Sequence, residues 1–227
     1  LVGSEMCIRD SNNINRLQGM LEKHSTLLTD RAMGTMLFEA GLEFGDPPEL
    51  WNIERADVVN SIQSAYVQAG AHLLLTNTFG GSSFRLRQHG LQDKQHELNK
   101  FGAANLKNTI ESLDSTSLVA GDIGPSGEIM APLGDLDFDD AVSAFAEDCT
   151  GLVDGGVDVI WIETMSSLEE MSAAVSGVQQ VDAGIPIVAC MSFDTHGRTM
   201  MGVTPEDAVQ HMLKLGVLSL IHISEPT

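Results

Sequence analysis

Asp30 and Glu163 are carboxylates that end runs otherwise built of apolar residues, Thr26 to Asp30 (TLLTD) and Val157 to Thr164 (VDVIWIET). A pair of this kind can hold a cationic group between them. Equally, Asp30 can cap a helix starting near Ala32, and Glu163 can pair with an arginine or a backbone amide. Position alone leaves both readings open. Other polar residues stand at comparable places: Thr76, Asn77 and Thr78, then Asp122, then Ser192 and Asp194. Taken singly, such residues are ordinary caps and turn formers, but their recurrence across separate runs suggests groups gathered on one face.

Much familiar chemistry is missing. Lys23, Lys94, Lys100, Lys107 and Lys214 all fall in helical or loop stretches, so no lysine is placed for a Schiff base in a strand or at its tip. No GxGxxG follows a strand, and neither GxxxxGK[ST] nor GxSxG occurs, which removes the usual dinucleotide, nucleoside-triphosphate and serine-hydrolase signatures. The histidines form no HExxH, and His72, His89, His96 and His196 share no local cluster with metal-ligating spacing. Cys149 sits on an apolar helical stripe and Cys190 inside an apolar run, which gives both the role of small buried hydrophobes.

The elements that must position these groups are parallel strands. Five short, almost continuously apolar runs recur: Thr26 to Asp30, Ala71 to Phe79, Ser117 to Pro125, Val157 to Thr164 and Ile185 to Asp194. That pattern predicts strands buried on both faces. Between them the spacing turns helical, as in Val58, Val59, Ile62, Tyr66 and Ala69, or Val142, Phe145, Cys149, Leu152 and Val153. Ser166 with Glu169 reads as a capping box, and Thr204 with Pro205 as an N-cap followed by proline at the first helical position. Strand–helix alternation fits a doubly wound sheet or a (β/α)8 barrel, and polar tips on five strands favour the barrel.

Composition narrows the class. The chain has 227 residues, 43% of them hydrophobic and 19% charged, as a folded domain requires. No apolar run approaches the roughly 20 residues of a membrane span. Acidic residues outnumber basic ones 32 to 12, for a formal charge of -20, which repels phosphate backbones and anionic membranes. Nucleic acid and membrane are therefore excluded as partners. Three cysteines form no disulfide framework, which suits a reducing, cytoplasmic setting. Residues 1–11 and 218–227 do not continue the neighbouring patterns and read as adapter-like sequence, so a single domain is expected over residues 12–217. Cys7 and His222 then carry no functional weight.

Six segments in order, TDRAMGTML (Thr29 to Leu37), PELWN (Pro48 to Asn52), LTNTFGGSS (Leu75 to Ser83), GPSGEIMAPLG (Gly124 to Gly134), WIET (Trp161 to Thr164) and MSFDTHGRTMMGVT (Met191 to Thr204), resemble the homocysteine S-methyltransferase domain. The nearest likeness is to bacterial betaine-homocysteine S-methyltransferases. The resemblance implies a (β/α)8 TIM barrel, here with about its first five βα units, that binds L-homocysteine at the C-terminal face of its strands. It implies methyl transfer to the homocysteine sulfur from betaine or a similar small donor, yielding methionine. It places Asp30 and Glu163 against the amino-acid portion of homocysteine, with Asn77 and Thr78 lining the same mouth and Trp51 offering an aromatic face to a quaternary ammonium. Zinc is the implied cofactor, held by one cysteine after the sixth strand and a vicinal pair after the eighth. Those positions are expected beyond residue 217, so no catalytic or metal residue is expected within this stretch, which by itself is expected to be inactive. Two departures stand out: Arg31 follows Asp30, and Gly80 and Thr164 stand where further aromatic rings are expected. The homocysteine-binding module of a cobalamin-dependent methionine synthase, and an inactive structural fragment, are the alternative readings.

Overall fold

The computed structural model describes residues 16–30, 32–181, 184–194, 196–219 and 222–223. Its centre is a parallel sheet whose strands lie side by side in chain order: β1 (Leu73–Leu75), β2 (Leu118–Ile123), β3 (Val159–Met165), β4 (Ile187–Phe193) and β5 (Leu218–Ser219). A further short strand, β6 (His222–Ile223), pairs with the end of β4. A doubly wound sheet reverses its order at a switch point, whereas here every strand is followed by its neighbour in space, as in a (β/α) barrel. The connections are helical. After helix α1 (16–23) come α2 (Met33–Glu39), α3 (Trp51–Glu54) and α4 (Ala56–Gln68) before β1, then α5 (Ser83–Leu86) and α6 (Gln95–Ser112) before β2. The helices α7 (Phe138–Gly155), α8 (Leu168–Val181) and α9 (Pro205–Leu215) then follow β2, β3 and β4 in turn. Among the described residues no helix is long and apolar enough to cross a membrane.

The first of the five expected strands is reduced to one bridge, Thr29 to Leu73. The backbone still runs beside β1, with Asp30 N donating to Leu73 O and His72 N to Leu28 O. The Leu28 amide, however, donates to the His72 Nδ1 rather than to a backbone carbonyl, and Ala32 already has φ 65. The ladder has no room to lengthen. At the other end, Leu218 and Ser219 pair with Val188 and Ala189, so residues from the stretch set apart at Leu218 lie on the sheet.

The two-residue period of the strands divides the core in two. One face carries Leu74, Val119, Ile123, Ile160, Ile162, Ala189 and Met191, packed against the helices with Phe145, Leu152 and Val175. The other face carries Leu73, Leu118, Ala120, Val159, Trp161, Val188 and Cys190, and is met by Leu17 and Met20 of α1. Arg16 bonds Asp158, just ahead of β3, and the His24 ring lies 4.2 Å from that of His72, just ahead of β1. Helix α1 therefore closes the inner face at the N-terminal ends of the strands.

The outer helices pack closely. A Cβ built on Gly155 of α7 would lie 2.5 Å from the Ala103 Cβ and 2.5 Å from Lys100 O of α6, so the contact depends on that side chain being absent. Thr204 caps α9 by accepting from Asp207 N at 3.2 Å, as its sequence predicts. The start of α8 differs from expectation. Ser167, not Ser166, accepts from the Glu170 amide at 3.0 Å, and the Glu170 carboxylate takes the amide and hydroxyl of Ser126 in the preceding loop. A tertiary partner thus displaces the local capping box.

Between α6 and α7 lies a buried polar contact. Asp148 Oδ1 accepts from Gln95 Nε2 at 2.9 Å and from Asn99 Nδ2 at 2.8 Å. Burial pushes the Asp148 carboxyl up to about 7, against two hydrogen bonds that favour the anion. The native protein therefore holds a proton there that the unfolded chain releases near pH 4, so this stabilisation is complete below about pH 4 and is lost as pH rises through 7. In urea titrations across pH 4 to 8, the native protein should lose stability relative to Asp148→Asn by at most about 4 kcal/mol. A pH-independent difference between the two would show that Asp148 titrates normally.

Candidate functional site

The period that sorts the core also builds the site. On the inner face, Leu118 and Ala120 are followed by Asp122, and Val159 and Trp161 by Glu163, so both carboxylates arrive at the C-terminal ends of their strands. There they border a cavity of about 550 Å³ whose lining also includes Asp30, Glu49, Thr76 and Asn77, with Met33, Phe38, Leu75 and Phe79 as its apolar part. Four carboxylates share this space, groups whose chemistry suits contact with a cation.

Each carboxylate is held differently. Asp30 is 4% exposed and its Oδ1 accepts from the Leu75 amide of β1 at 2.8 Å. It does not cap α2, whose N-cap residue, Ala32, makes no side-chain cap. Glu163 is half-buried, and its Oε2 accepts from the Trp161 indole two residues back on the same face, at 3.3 Å. The register between β3 and β4 shifts between Ile162 and Met165, and Thr164 has φ 62. A β-branched residue in the left-handed region is strained, and such a bulge re-aims the side chains beside it. The bulge sits where Glu163 and Thr164 line the cavity.

Glu49 is the residue that strand patterning misses. It lies in a 3-10 turn, Pro48–Leu50, and is 5% exposed. Its Oε1 accepts from the Gly80 amide at 2.7 Å, and burial pushes its carboxyl above the ordinary range despite that bond and the nearby charges of Arg85 and His89. The signal available was its place in PELWN, directly ahead of the short helix α3. Asp122, counted among the strand tips, is 5% exposed and joins the same lining.

The five residues expected at the site separate into two groups. Asp30, Asn77 and Glu163 share the cavity. Asn77 reaches it while its amide donates to Pro48 O at 2.8 Å and to Asn52 Oδ1 at 3.1 Å, which fixes the turn carrying Glu49. Thr78 and Trp51 stand outside the lining. Thr78 is 1% exposed; it donates to Asp122 O at 2.7 Å and accepts from Thr76, whose hydroxyl oxygen in turn takes the Asp122 amide. Its hydroxyl thereby ties the loop after β1 to β2. Trp51 packs with Leu37, Leu42, Val59 and Ile62 beneath α2 and α4, with the Arg55 guanidinium 4.9 Å from its ring centroid. The aromatic groups that do face the cavity are Phe38 and Phe79. Arg31 lies outside the described residues.

A zinc site does not fit the described residues. Cys149 lies in the outer core between the sheet and the helices, and Cys190 on the inner face. Among the described residues no three His, Cys, Asp or Glu side chains come together to hold a metal ion.

Comparison with known proteins agrees with the geometry. The sequence pattern described as homocysteine S-methyltransferase matches residues 27–223. The chain is 31% identical over 204 residues to methionine synthase of Mycobacterium leprae and 32% identical over 204 residues to that of Mycobacterium tuberculosis, in each case over 84% of this chain. It spans only 17% of the length of these curated relatives. Among solved structures, the oxidized form of the homocysteine methyltransferase MmuM from Escherichia coli superposes with a TM-score of 0.77 at 22% identity, over 92% of this chain and 76% of that one. The metallated form of the same protein superposes with a TM-score of 0.69 at 18% identity, over 92% of this chain and 87% of that one. The likeness to these structures shows a shared barrel fold, and the sequence match over residues 27–223 shows that the chain belongs to the homocysteine S-methyltransferase family.

Proposed function

We propose that the cavity at the C-terminal ends of the strands binds L-homocysteine, and that the protein transfers a methyl group to the homocysteine sulfur from betaine or a similar small donor, forming methionine. The observation that carries this reading is the gathering of Asp30, Glu49, Asp122 and Glu163 around one cavity at the strand ends. An ammonium group placed there gains charge-assisted hydrogen bonds in a partly dry site, where they are worth more than in water. Glu163 is the foremost partner for the homocysteine ammonium, because the bulge at Thr164 presents it to the cavity while the Trp161 indole steadies one oxygen. Asp30, fixed by the Leu75 amide, is the second.

In the transfer, a sulfur lone pair attacks the methyl carbon in line with the bond to the donor's nitrogen. The S–C bond forms, the C–N bond breaks, and the electron pair leaves with the nitrogen, so the donor loses its positive charge. The thiol proton passes to solvent water before or during attack, because an ordinary thiol with a pKa near 8.5 is mostly protonated at neutral pH. The described residues bind and orient; Met33, Phe38, Leu75 and Phe79 supply the apolar side against which methyl groups pack. Zinc, expected from the family resemblance, is proposed for the protein only on residues other than Cys149 and Cys190. A cytoplasmic setting suits Cys149 and Cys190, both buried.

A second reading, the homocysteine module of a methionine synthase, is favoured by the 31% identity to such an enzyme over 84% of this chain. Both readings share the homocysteine site and differ in the donor. Competition between betaine and a reduced folate for transfer to homocysteine separates them.

Two outcomes are expected. Glu163→Ala should weaken homocysteine binding, read by calorimetry, by about 10-fold to 100-fold, as for loss of a charged hydrogen bond worth ~1.5–3 kcal/mol. Unchanged affinity would return Glu163 to a structural role. Cobalt(II), a spectroscopic substitute for zinc, should give no thiolate charge-transfer absorption that disappears in a Cys149→Ala, Cys190→Ala double variant. Such a band would show that these two residues do approach a metal.

A further inference from the structure

Glu49 owes its place to a loop, and the loop is gripped from behind. Gly80 donates its amide to Glu49 Oε1 at 2.7 Å. The next residue, Gly81, donates to Thr78 O at 2.9 Å, and its own carbonyl accepts from Asn99 Nδ2 at 3.3 Å. A Cβ on Gly81 would lie 2.2 Å from Asn99 Oδ1, so the α6 side chain fills the space that only glycine leaves. The same Asn99 amide group donates to Asp148 Oδ1 at 2.8 Å. Gln95 braces that carboxylate from one turn earlier on α6, at 2.9 Å, while also donating to Ala144 O at 2.8 Å. Gln95, Asn99 and Asp148 are all buried, at 6%, 1% and 3% exposure. A buried polar group of this kind is costly unless its partners hold it in one arrangement, and once satisfied it fixes that arrangement.

We propose that Asp148 and Asn99 are positioning residues for the cavity: through the Gly80–Gly81 loop they set the place of the Glu49 carboxylate, and so the affinity for a cationic ligand that neither of them touches. The ligand part of this inference rests on the reading of the cavity as the homocysteine site. The structural part does not. Asp148 needs only an accepting oxygen to play this role, so an asparagine, whose Oδ1 accepts the same two bonds, should replace it. Alanine should not.

The test uses the full chain and reads hydrogen exchange of the Gly80 amide by NMR, with the Ile160 amide of β3 as an internal control, alongside homocysteine binding by calorimetry. Asn99→Ala and Asp148→Ala should speed Gly80 exchange at least 10-fold while Ile160 changes less than twofold, and should weaken homocysteine binding about 10-fold. Asp148→Asn should restore both to the native values. If Asp148→Ala does not fold, Asn99→Ala and Asp148→Asn decide between themselves. Gly80 exchange within twofold of native in Asn99→Ala, or accelerated in Asp148→Asn as much as in Asn99→Ala, would overturn the proposal. If the native chain binds no homocysteine, the functional reading falls, while the exchange rates still decide whether Asp148 and Asn99 hold the loop.

Discussion

The two-residue period of parallel strands is the constraint on which the cavity depends. Along β2 and β3 it commits Leu118, Ala120 and Asp122, and Val159, Trp161 and Glu163, to one face, while Val119, Ile160 and Ile162 are committed to the other. Because the strands are parallel and adjacent in chain order, their C-terminal ends converge, and whatever polar residue ends the inner column stands at the mouth. A slip of one residue would send Asp122 and Glu163 into the apolar layer beneath the helices. The irregularity between Ile162 and Met165 takes in Glu163 and Thr164 and begins only after the ladder has fixed Trp161 and Ile162.

The loops complete what the strands begin. Asp30 is fixed by a β1 amide, Asn77 by the Pro48 carbonyl, and Glu49 by the Gly80 amide, so three of the cavity's polar groups are held by backbone atoms of other segments. Backbone partners move less than long side chains, and a site so held keeps its carboxylates close together despite their mutual repulsion. Burial lowers that cost for Glu49 by favouring its neutral form, and a bound cation favours the charged one.

The barrel is legible in the sequence because its evidence is periodic: apolar runs ending in polar tips identify five strand positions, and Asp30 and Glu163 stand at two of them. The reach of the first strand is not legible, since it depends on a His72 ring nitrogen taking the Leu28 amide from across the fold. Nor is the start of α8, where Ser126, 44 residues upstream of Glu170, competes with the local cap. Glu49 escapes pattern reading because it belongs to a turn and acquires its position from Asn77, Asn52 and Gly80. Trp51 illustrates the opposite limit: an aromatic residue in a family motif has the composition of a ligand contact, but its surroundings, Leu37, Leu42, Val59 and Ile62, are those of a core residue.

Helix α1 gives the inner face a floor that the strands do not supply. Leu17 and Met20 meet the lower layer formed by Leu73, Leu118 and Val159, whereas Asp122 and Glu163 lie farther along the strands, beyond Ala120 and Trp161. The carboxylates that line the cavity and the α1 side chains that close the base of the barrel are therefore carried by different segments. Such a division frees the mouth to drift. Under the proposed function, substitutions in the loops around Glu49, Phe79 or Thr164 would alter which methyl donor is accepted without disturbing the floor, and a lineage could exchange one donor for another while inheriting the same foundation.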